Sequence, residues 1–363
     1  MIVPVSGDAT GLLDRLRSLR AAGHVPLVGD DRWPQAQWDA VTAIAEATVP
    51  TADAAWATST SGSSGAPRIV LRTAQSWASS FDAVARLLDA GPQDAVLLPA
   101  PPASSLTLFS LAHALAGGPR PILDPAQRDA ATCLHGTPQA LRAVLEAGAP
   151  PRLRAALIGG SHLDPALRER AEAAGICVAA YYGAAELSFV AVDEGDGLRE
   201  FPGVDLSVRD GELWVRSPFV ALGYAGDGGP LRRDGDLATV GDRAELADGR
   251  LRLLGRADDA ILSASATIVP EEVEAALRSV PGIRDAVVFG LPQSRLGALV
   301  AAFVELDAAG PADLRTASAA LLAPAHRPRQ WFAGELPRTA SGKPARAEAV
   351  RRALAGEVQR LAV

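Results

Sequence analysis

Lysine is almost missing from this chain: lysine and arginine together number 35 in 363 residues, and Lys343 is the only lysine. Methionine occurs once, cysteine twice, and aromatic residues make up only 5%. With so few large rings, Ala, Leu and Val must fill the interior, and the 48% hydrophobic content suits an α/β enzyme and not a disordered or fibrous chain. Cys133 and Cys177 cannot build a disulfide framework, and neither lies in a CxxC, so both read as small apolar residues. The histidines (His24, His113, His135, His162, His326) show no HxxxH or HExxH spacing, which argues against a dedicated protein metal site. Any basic block is missing too, and the net charge is −7. A nucleic-acid binder would carry a positive stripe to neutralise phosphates. No window reaches the roughly 18 charge-free apolar residues of a membrane helix, and no basic segment leads into an apolar stretch at the N-terminus. The expectation is a cytoplasmic protein with neither nucleic-acid nor membrane partners.

At 363 residues the chain is too long for one comfortable core, so a larger and a smaller domain are expected. Leucines at helical spacing (Leu12, Leu13, Leu16, Leu19) predict a helix over 9–22, and HVPLVGD predicts a short strand. A Pro- and Ala-rich stretch follows. Apolar runs then recur at DAVLLPAPP, RPILD, RAALIGG and ICVAAYYG, separated by helical stretches at Gln75–Leu88, Pro138–Ala147 and Asp164–Ala174. Strands alternating with helices at this spacing indicate a parallel sheet with helices on its faces. Further on, GVDLSVRDGELWVRS holds two alternating runs joined by Asp210-Gly211, and ATVGDRAELADGRLRLLG repeats the pattern. Together they predict a small antiparallel sheet or barrel. After Arg256 comes a compact α+β unit, with Pro270 at a first helical position before EEVEAALRSV, strands at DAVVFG and LVAAFVEL, and a last helix at Ala345–Leu354. The fold class expected is α/β, with a large N-terminal domain over 1–256 and a small one over 257–363.

Several short motifs suit nucleotide chemistry. Thr60-Ser61-Gly62-Ser63-Ser64-Gly65 can turn tightly and aim N–H groups and hydroxyls at a phosphate chain. Taken alone, such a loop is more often a linker. Tyr182-Gly183-Ala184-Ala185-Glu186 follows an apolar strand. Its tyrosine could stack on a base and Glu186 could hold Mg²⁺ on phosphate oxygens, although a strand end with a surface acid fits as well. Carboxylates in Asp234-Gly235-Asp236 and in Gly255-Arg256-Ala257-Asp258-Asp259 could accept from ribose hydroxyls, and are also ordinary turn residues. Lys343 ends Leu336-Pro337-Arg338-Thr339-Ala340-Ser341-Gly342-Lys343. A lysine presented by a Ser-Gly turn is a mobile point charge suited to developing phosphoryl or carboxylate charge.

In this order and spacing the motifs resemble the adenylate-forming superfamily of acyl-CoA synthetases, peptide-synthetase adenylation domains and luciferases. The resemblance implies a large N-terminal domain of α/β subdomains and a β-barrel, and a small C-terminal domain that rotates between two half-reactions. It implies that Thr60, Ser61, Gly62, Ser63, Ser64 and Gly65 bind the ATP phosphates, that Gly159, Gly160 and Tyr182 flank the adenine, and that Gly183 belongs to the same cofactor site. Glu186 would ligate Mg²⁺, Asp236 would hold the ribose with Arg256 nearby, and Asp258 matches the hinge. Lys343 would bridge the substrate carboxylate and the α-phosphate. A small-molecule carboxylic acid would be adenylated with release of pyrophosphate and then captured by the thiol of coenzyme A. Ser104, Leu106, Phe109, Leu187 and Phe189 would line an apolar acyl or aryl pocket. The first subdomain is short, as in compact actinobacterial acyl-CoA synthetases such as o-succinylbenzoate–CoA ligases, and the apolar surface so exposed is one a homodimer would cover.

The pattern is not complete. Ala185 replaces a threonine that contacts the α-phosphate, a hydrogen bond worth about 1–3 kcal/mol. Ser104 falls where many members place a histidine. Leu262 and Ser265 replace a polar residue and a glycine in the loop after Asp258, where a pantetheine arm would pass. Adenylation is therefore better supported than thioester formation. Transfer to an acyl carrier protein or an amine stays open, as does a degenerate nucleotide-binding protein. A nicotinamide enzyme is disfavoured, since no GxGxxG follows the first strand.

Overall fold

Strand β1 (Ile2–Val5), helix α1 (Leu12–Ala21), strand β2 (Val25–Val28) and helix α2 (Gln35–Ala47) open the chain of this computed structural model. It describes residues 1–61, 67–226, 228–256, 261–263, 266–293, 297–307, 313–339, 342 and 344–361. Helix α2 occupies the Pro- and Ala-rich stretch. Only Val41 and Ala45 of it are buried, so its periodicity is faint in the sequence. Strands β1, β2 and β3 (Ala54–Ser61) run parallel, and β4 (Pro67–Thr73) returns antiparallel to β3 with Thr60 opposite Arg68.

A second sheet has five parallel strands in the order β6-β5-β7-β8-β9: β5 (Ala95–Leu97), β6 (Arg120–Ile122), β7 (Cys133–Gly136), β8 (Ala155–Ile158) and β9 (Cys177–Ala184). Antiparallel β10 (Ser188–Asp193) and β11 (Arg199–Glu200) extend it beyond β9. Helices α3 (Ala74–Leu87) and α4 (Ser105–Leu115) pack between the two sheets, and α5 (Pro138–Glu146) and α6 (Pro165–Ala173) cover the other face of the second. Covered on both faces, β7 and β8 are buried at every residue, which is why they read as unbroken apolar runs. Thr73, Ser104, Thr137 and Asp164 cap these helices by accepting backbone N–H bonds, and Pro138 and Pro165 sit where no N–H is needed.

A third, antiparallel sheet holds β12 (Asp205–Arg209) and β13 (Glu212–Arg216), then β15 (Arg232–Asp234), β16 (Leu237–Thr239), β17 (Asp242–Ala247) and β18 (Arg250–Arg256). Between these two groups β14 (Gly223–Ala225) joins β4 of the first sheet. Its two Asp-Gly hairpins have the positive φ pair of a type I′ turn, 52° and 77° at Asp210-Gly211 and 52° and 68° at Asp248-Gly249.

Strands from the described residues between 261 and 361 form a fourth sheet. Its longest pair, Ile283–Gln293 with Gly297–Leu306, alternates sides: Ala286 and Val288 meet Val273 and Leu277 of α7 (Pro270–Arg278), while Val287 and Phe289 meet Ala349 and Ala353. Among the described residues no helix is long and apolar enough to cross a membrane.

Candidate active site

Parallel open sheets bind ligands beyond the carboxyl ends of their strands, and the second sheet sends most of the singled-out residues to that edge. Thr137 follows β7, Gly159 and Gly160 follow β8, and Tyr182–Glu186 close β9. Both glycine contacts are forced by crowding. A Cβ at Gly159 would stand 2.2 Å from the Tyr181 ring, and one at Gly183 would stand 2.0 Å from the Ser188 carbonyl oxygen. Gly160 also has φ of 91°, a left-handed conformation.

Glu186 is 6% exposed, and its Oε1 accepts from the Tyr224 hydroxyl at 2.8 Å. Burial and the adjacent Glu186 carboxylate both push the Tyr224 phenol up, so it stays a donor. The main chain of Glu186 is fixed by Ala221 N–H, 2.7 Å from its carbonyl oxygen. A buried carboxylate whose second oxygen takes no bond from Tyr224 fits Mg²⁺, which prefers one or two protein carboxylates and draws its other oxygens from phosphates and water.

Tyr182, expected beside a nucleotide base, donates its hydroxyl to Asp242, the first residue of β17 and 60 positions away in the chain. Asp242 belongs to none of the nucleotide motifs of the sequence. Asp236, expected as the ribose ligand, is placed elsewhere: it sits in the exposed turn between β15 and β16, and its carboxylate pairs with Arg216. The neighbouring Asp234 is spent on Arg209 at 2.6 Å. The carboxylate that the fold brings to Tyr182 is thus Asp242. Four buried residues, Leu237–Val240, carry the chain into the core before Gly241 turns it toward Tyr182, and nothing local marks Asp242 in the sequence.

The side chains expected at the acyl pocket divide between the core and the edge of the site. Phe109, Leu187 and Phe189 are core residues, 3%, 1% and 3% exposed, and the Phe109 and Phe189 rings pack edge to face at 4.9 Å. Ser104 caps α4 through a 3.2 Å bond from Thr107 N–H, and Leu106 is half-buried beside it. The ring that reaches the Gly159 turn is Tyr181. Its hydroxyl meets His135 Nε2 at 3.1 Å, and His135 Nδ1 meets Ser110 Oγ at 2.7 Å. Burial pulls His135 down to about 3, so the imidazole is neutral.

In the C-terminal unit, Arg338 and Pro344, which flank Lys343 in the chain, form an antiparallel bridge. Arg338 pairs with Asp285 and Glu305 at 3.0 Å each, and its Nη1 donates to the Gly342 carbonyl at 3.3 Å. Gly342 has φ of 83°, and a Cβ on it would lie 3.4 Å from Thr137 Oγ1 and 3.6 Å from Gln139 Cβ. Gly342 therefore reaches the carboxyl edge of β7. Thr60 is half-buried at the end of β3. Lys343 itself, Gly62, Ser63, Ser64, Gly65, Asp258 and Ser265 lie outside the described residues, as do the side chains of Ser61, Arg256 and Leu262.

Two family models match this chain: AMP-binding enzyme over residues 10–225 and AMP-binding enzyme C-terminal domain over residues 272–343. A 2-succinylbenzoate–CoA ligase of Salmonella typhimurium is 32% identical over 76% of this chain, and the match spans 63% of that relative, less than two thirds of its length. A probable 2-succinylbenzoate–CoA ligase of Mycobacterium tuberculosis is 32% identical over 84% of this chain and 86% of its own length. In fold, an Escherichia coli MenE variant with bound OSB-AMS superposes with a TM-score of 0.82 at 23% identity, covering 97% of this chain and 87% of that one.

Proposed function

The chain belongs to the AMP-binding enzyme family, and on that premise we propose that it uses ATP to turn a carboxylic acid into an acyl-adenylate and passes the acyl group to coenzyme A. One observation carries most of the reading: Gly342, the residue before Lys343, packs on Thr137 at the edge that also presents Gly159, Gly160 and Tyr182–Glu186. A carboxylate oxygen attacks the α-phosphorus, the P–O bond to pyrophosphate breaks, and the acid becomes a mixed anhydride. The Lys343 ammonium bridges the carboxylate and the α-phosphate, where charge develops. The thiol of coenzyme A then attacks the acyl carbon, and AMP leaves with the anhydride oxygen. Positioning does most of the work in such transfers.

Asp242 takes the ribose role in place of Asp236, since its carboxylate is beside Tyr182 and half-buried. Mg²⁺, when bound, neutralises phosphate charge, and Glu186 is the residue that would hold it. The acid lies outward of Phe109 and Phe189, against Leu106, the Gly159 turn and the Tyr181 ring. The names of the curated relatives favour an aryl acid of the 2-succinylbenzoate kind. Pyrophosphate release, measured across 2-succinylbenzoate, simple aryl acids and straight-chain fatty acids with and without coenzyme A, tests all of this. Acid-dependent release with matching thioester formation is expected. Release without thioester would move the acceptor to a carrier protein or an amine, and no release with any acid would sink the ligase reading.

A further inference from the structure

Arg72 on β4 is completely buried, a costly place for a cation. Its Nε and Nη2 both donate to the carbonyl of Ala185, with Nε at 3.1 Å. Its Nη1 donates to the Phe219 carbonyl and, at 3.4 Å, to Ser76 Oγ, and its Cζ stands 5.6 Å from the centre of the Trp77 ring. All of these acceptors are neutral. Burial pulls the guanidinium down to about 9, and the opposing pull comes from Glu186. A leucine or methionine would fill the same volume without the desolvation cost, so the value of an arginine must lie in what it grips.

What it grips is the turn that presents Glu186. Ala185 comes immediately before that residue, and its methyl group can anchor nothing. The turn is also under conformational constraint, since Ser188 has φ of 59° and Gly183 admits no Cβ. Its main-chain carbonyl is thus the available handle, and two N–H groups of a planar fork hold it from β4, the strand that leaves the Thr60–Gly65 loop. Phe219, two residues before the Ala221 N–H that fixes Glu186, is held by the same guanidinium.

We propose that Arg72 is a positioning residue of the nucleotide site: it locks the Glu186 turn to the strand that follows the phosphate loop, and so sets the affinity for Mg²⁺ and ATP together. The inference rests on the ligase reading for the role of Glu186. Arg72→Lys keeps the charge but reaches one carbonyl at a time, and Arg72→Gln keeps a donor without the charge. Each is to be measured by thermal melting, by Mg²⁺ titration of a fluorescent ATP analogue without acid, and by acid-dependent pyrophosphate release. The expected result is a rise of roughly tenfold in half-saturating Mg²⁺ and in KM for ATP, with KM for the acid unchanged and Arg72→Lys partly recovered. A variant that melts like the parent and keeps the parental Mg²⁺ half-saturation overturns the proposal. If neither variant folds, hydrogen exchange on the unaltered protein decides: Mg²⁺ with ATP must protect Val70–Thr73 and Ala184–Leu187 together, and protection of one alone overturns it. If the parent binds the analogue but releases no pyrophosphate with any acid, the ligase reading fails while the Mg²⁺ titration still judges Arg72.

Discussion

Arg72 in the larger unit and Arg338 in the C-terminal unit each hold the main-chain carbonyl of the residue before a proposed catalytic group, Ala185 before Glu186 and Gly342 before Lys343. They do so in different surroundings. Arg72 is fully buried and, among the described residues, donates to neutral acceptors, whereas Arg338 keeps 18% exposure and pairs with the carboxylates of Asp285 and Glu305. A buried fork on carbonyls is insensitive to salt, because no counterion can reach it. A part-exposed ion-pair cluster is screened by salt and depends on the ionisation of its acids. The turn that presents Glu186 is thus fixed by desolvated hydrogen bonds, and Gly342 is fixed through an arginine held by charge.

The strongest way to break that comparison is to remove the groups being held. Lys343→Ala should lower adenylation by roughly 100- to 1000-fold, the usual cost of losing one charge-stabilising donor, while thioester formation from supplied acyl-adenylate changes little. Equal loss in both half-reactions would remove Lys343 from the first step. Arg338→Met should act less. Three polar contacts go, and the C-terminal unit should lose about 2–3 kcal/mol of stability, with kcat falling while KM for ATP holds. Raising the salt concentration should imitate Arg338→Met and leave the Arg72 contacts alone. A kcat indifferent to salt in the parent would show that the ion pairs do not position Gly342.

Acid separates the two regions by a smaller margin. Burial pulls His135 down to about 3 and His113 down to about 4. Both are neutral in the folded chain at pH 6, while the unfolded chain takes up protons from about pH 6.5 downward. The unfolded state therefore binds more protons, and stability of the larger unit falls with falling pH, by about 1.4 kcal/mol per unit for each histidine. For Asp285, burial pushes the carboxyl up, but Arg278 and Arg338 outweigh it and the group lies below its usual value. Its contribution is intact above the ordinary carboxylate range of about 3.9 and is lost only as pH falls below it. Hydrogen exchange between pH 7 and 5 should show the larger unit loosening first, and His135→Gln should flatten that slope. Simultaneous loosening of both units would contradict the assignment.

Much of this was legible in the sequence, and the exceptions share a cause. The parallel strands, the two Asp-Gly hairpins and the Pro270 helix each carry a local signal, and each forms where expected. Helix α2 was missed because alanines on both faces leave little periodicity. Nothing local distinguishes Arg72, Tyr181 or Asp242 in the sequence. Each gains its meaning from a residue far away: Ala185 is 113 positions from Arg72, His135 is 46 from Tyr181, and Tyr182 is 60 from Asp242. Phe109 and Phe189 show the same dependence on packing, because an apolar residue at a ligand edge and one in the core look alike in sequence. Only packing separates them.

The smallest effect expected sharpens the site most. Asp236 and Asp242 both follow a glycine in the same sheet, so sequence offers no ground for choosing between them as the ribose acceptor. The structure makes them unlike: Asp242 faces Tyr182, while Asp236 is a surface partner of Arg216. Asp242→Asn should raise KM for ATP roughly tenfold, since one acceptor pair is replaced by a group that must also dispose of two N–H donors. Asp236→Asn should change KM for ATP by less than about twofold, because an exposed ion pair contributes little. Steady-state kinetics in ATP for the two variants reads the difference directly. The reverse order of effects would return the ribose to Asp236 and require the β15–β16 turn to close over the nucleotide.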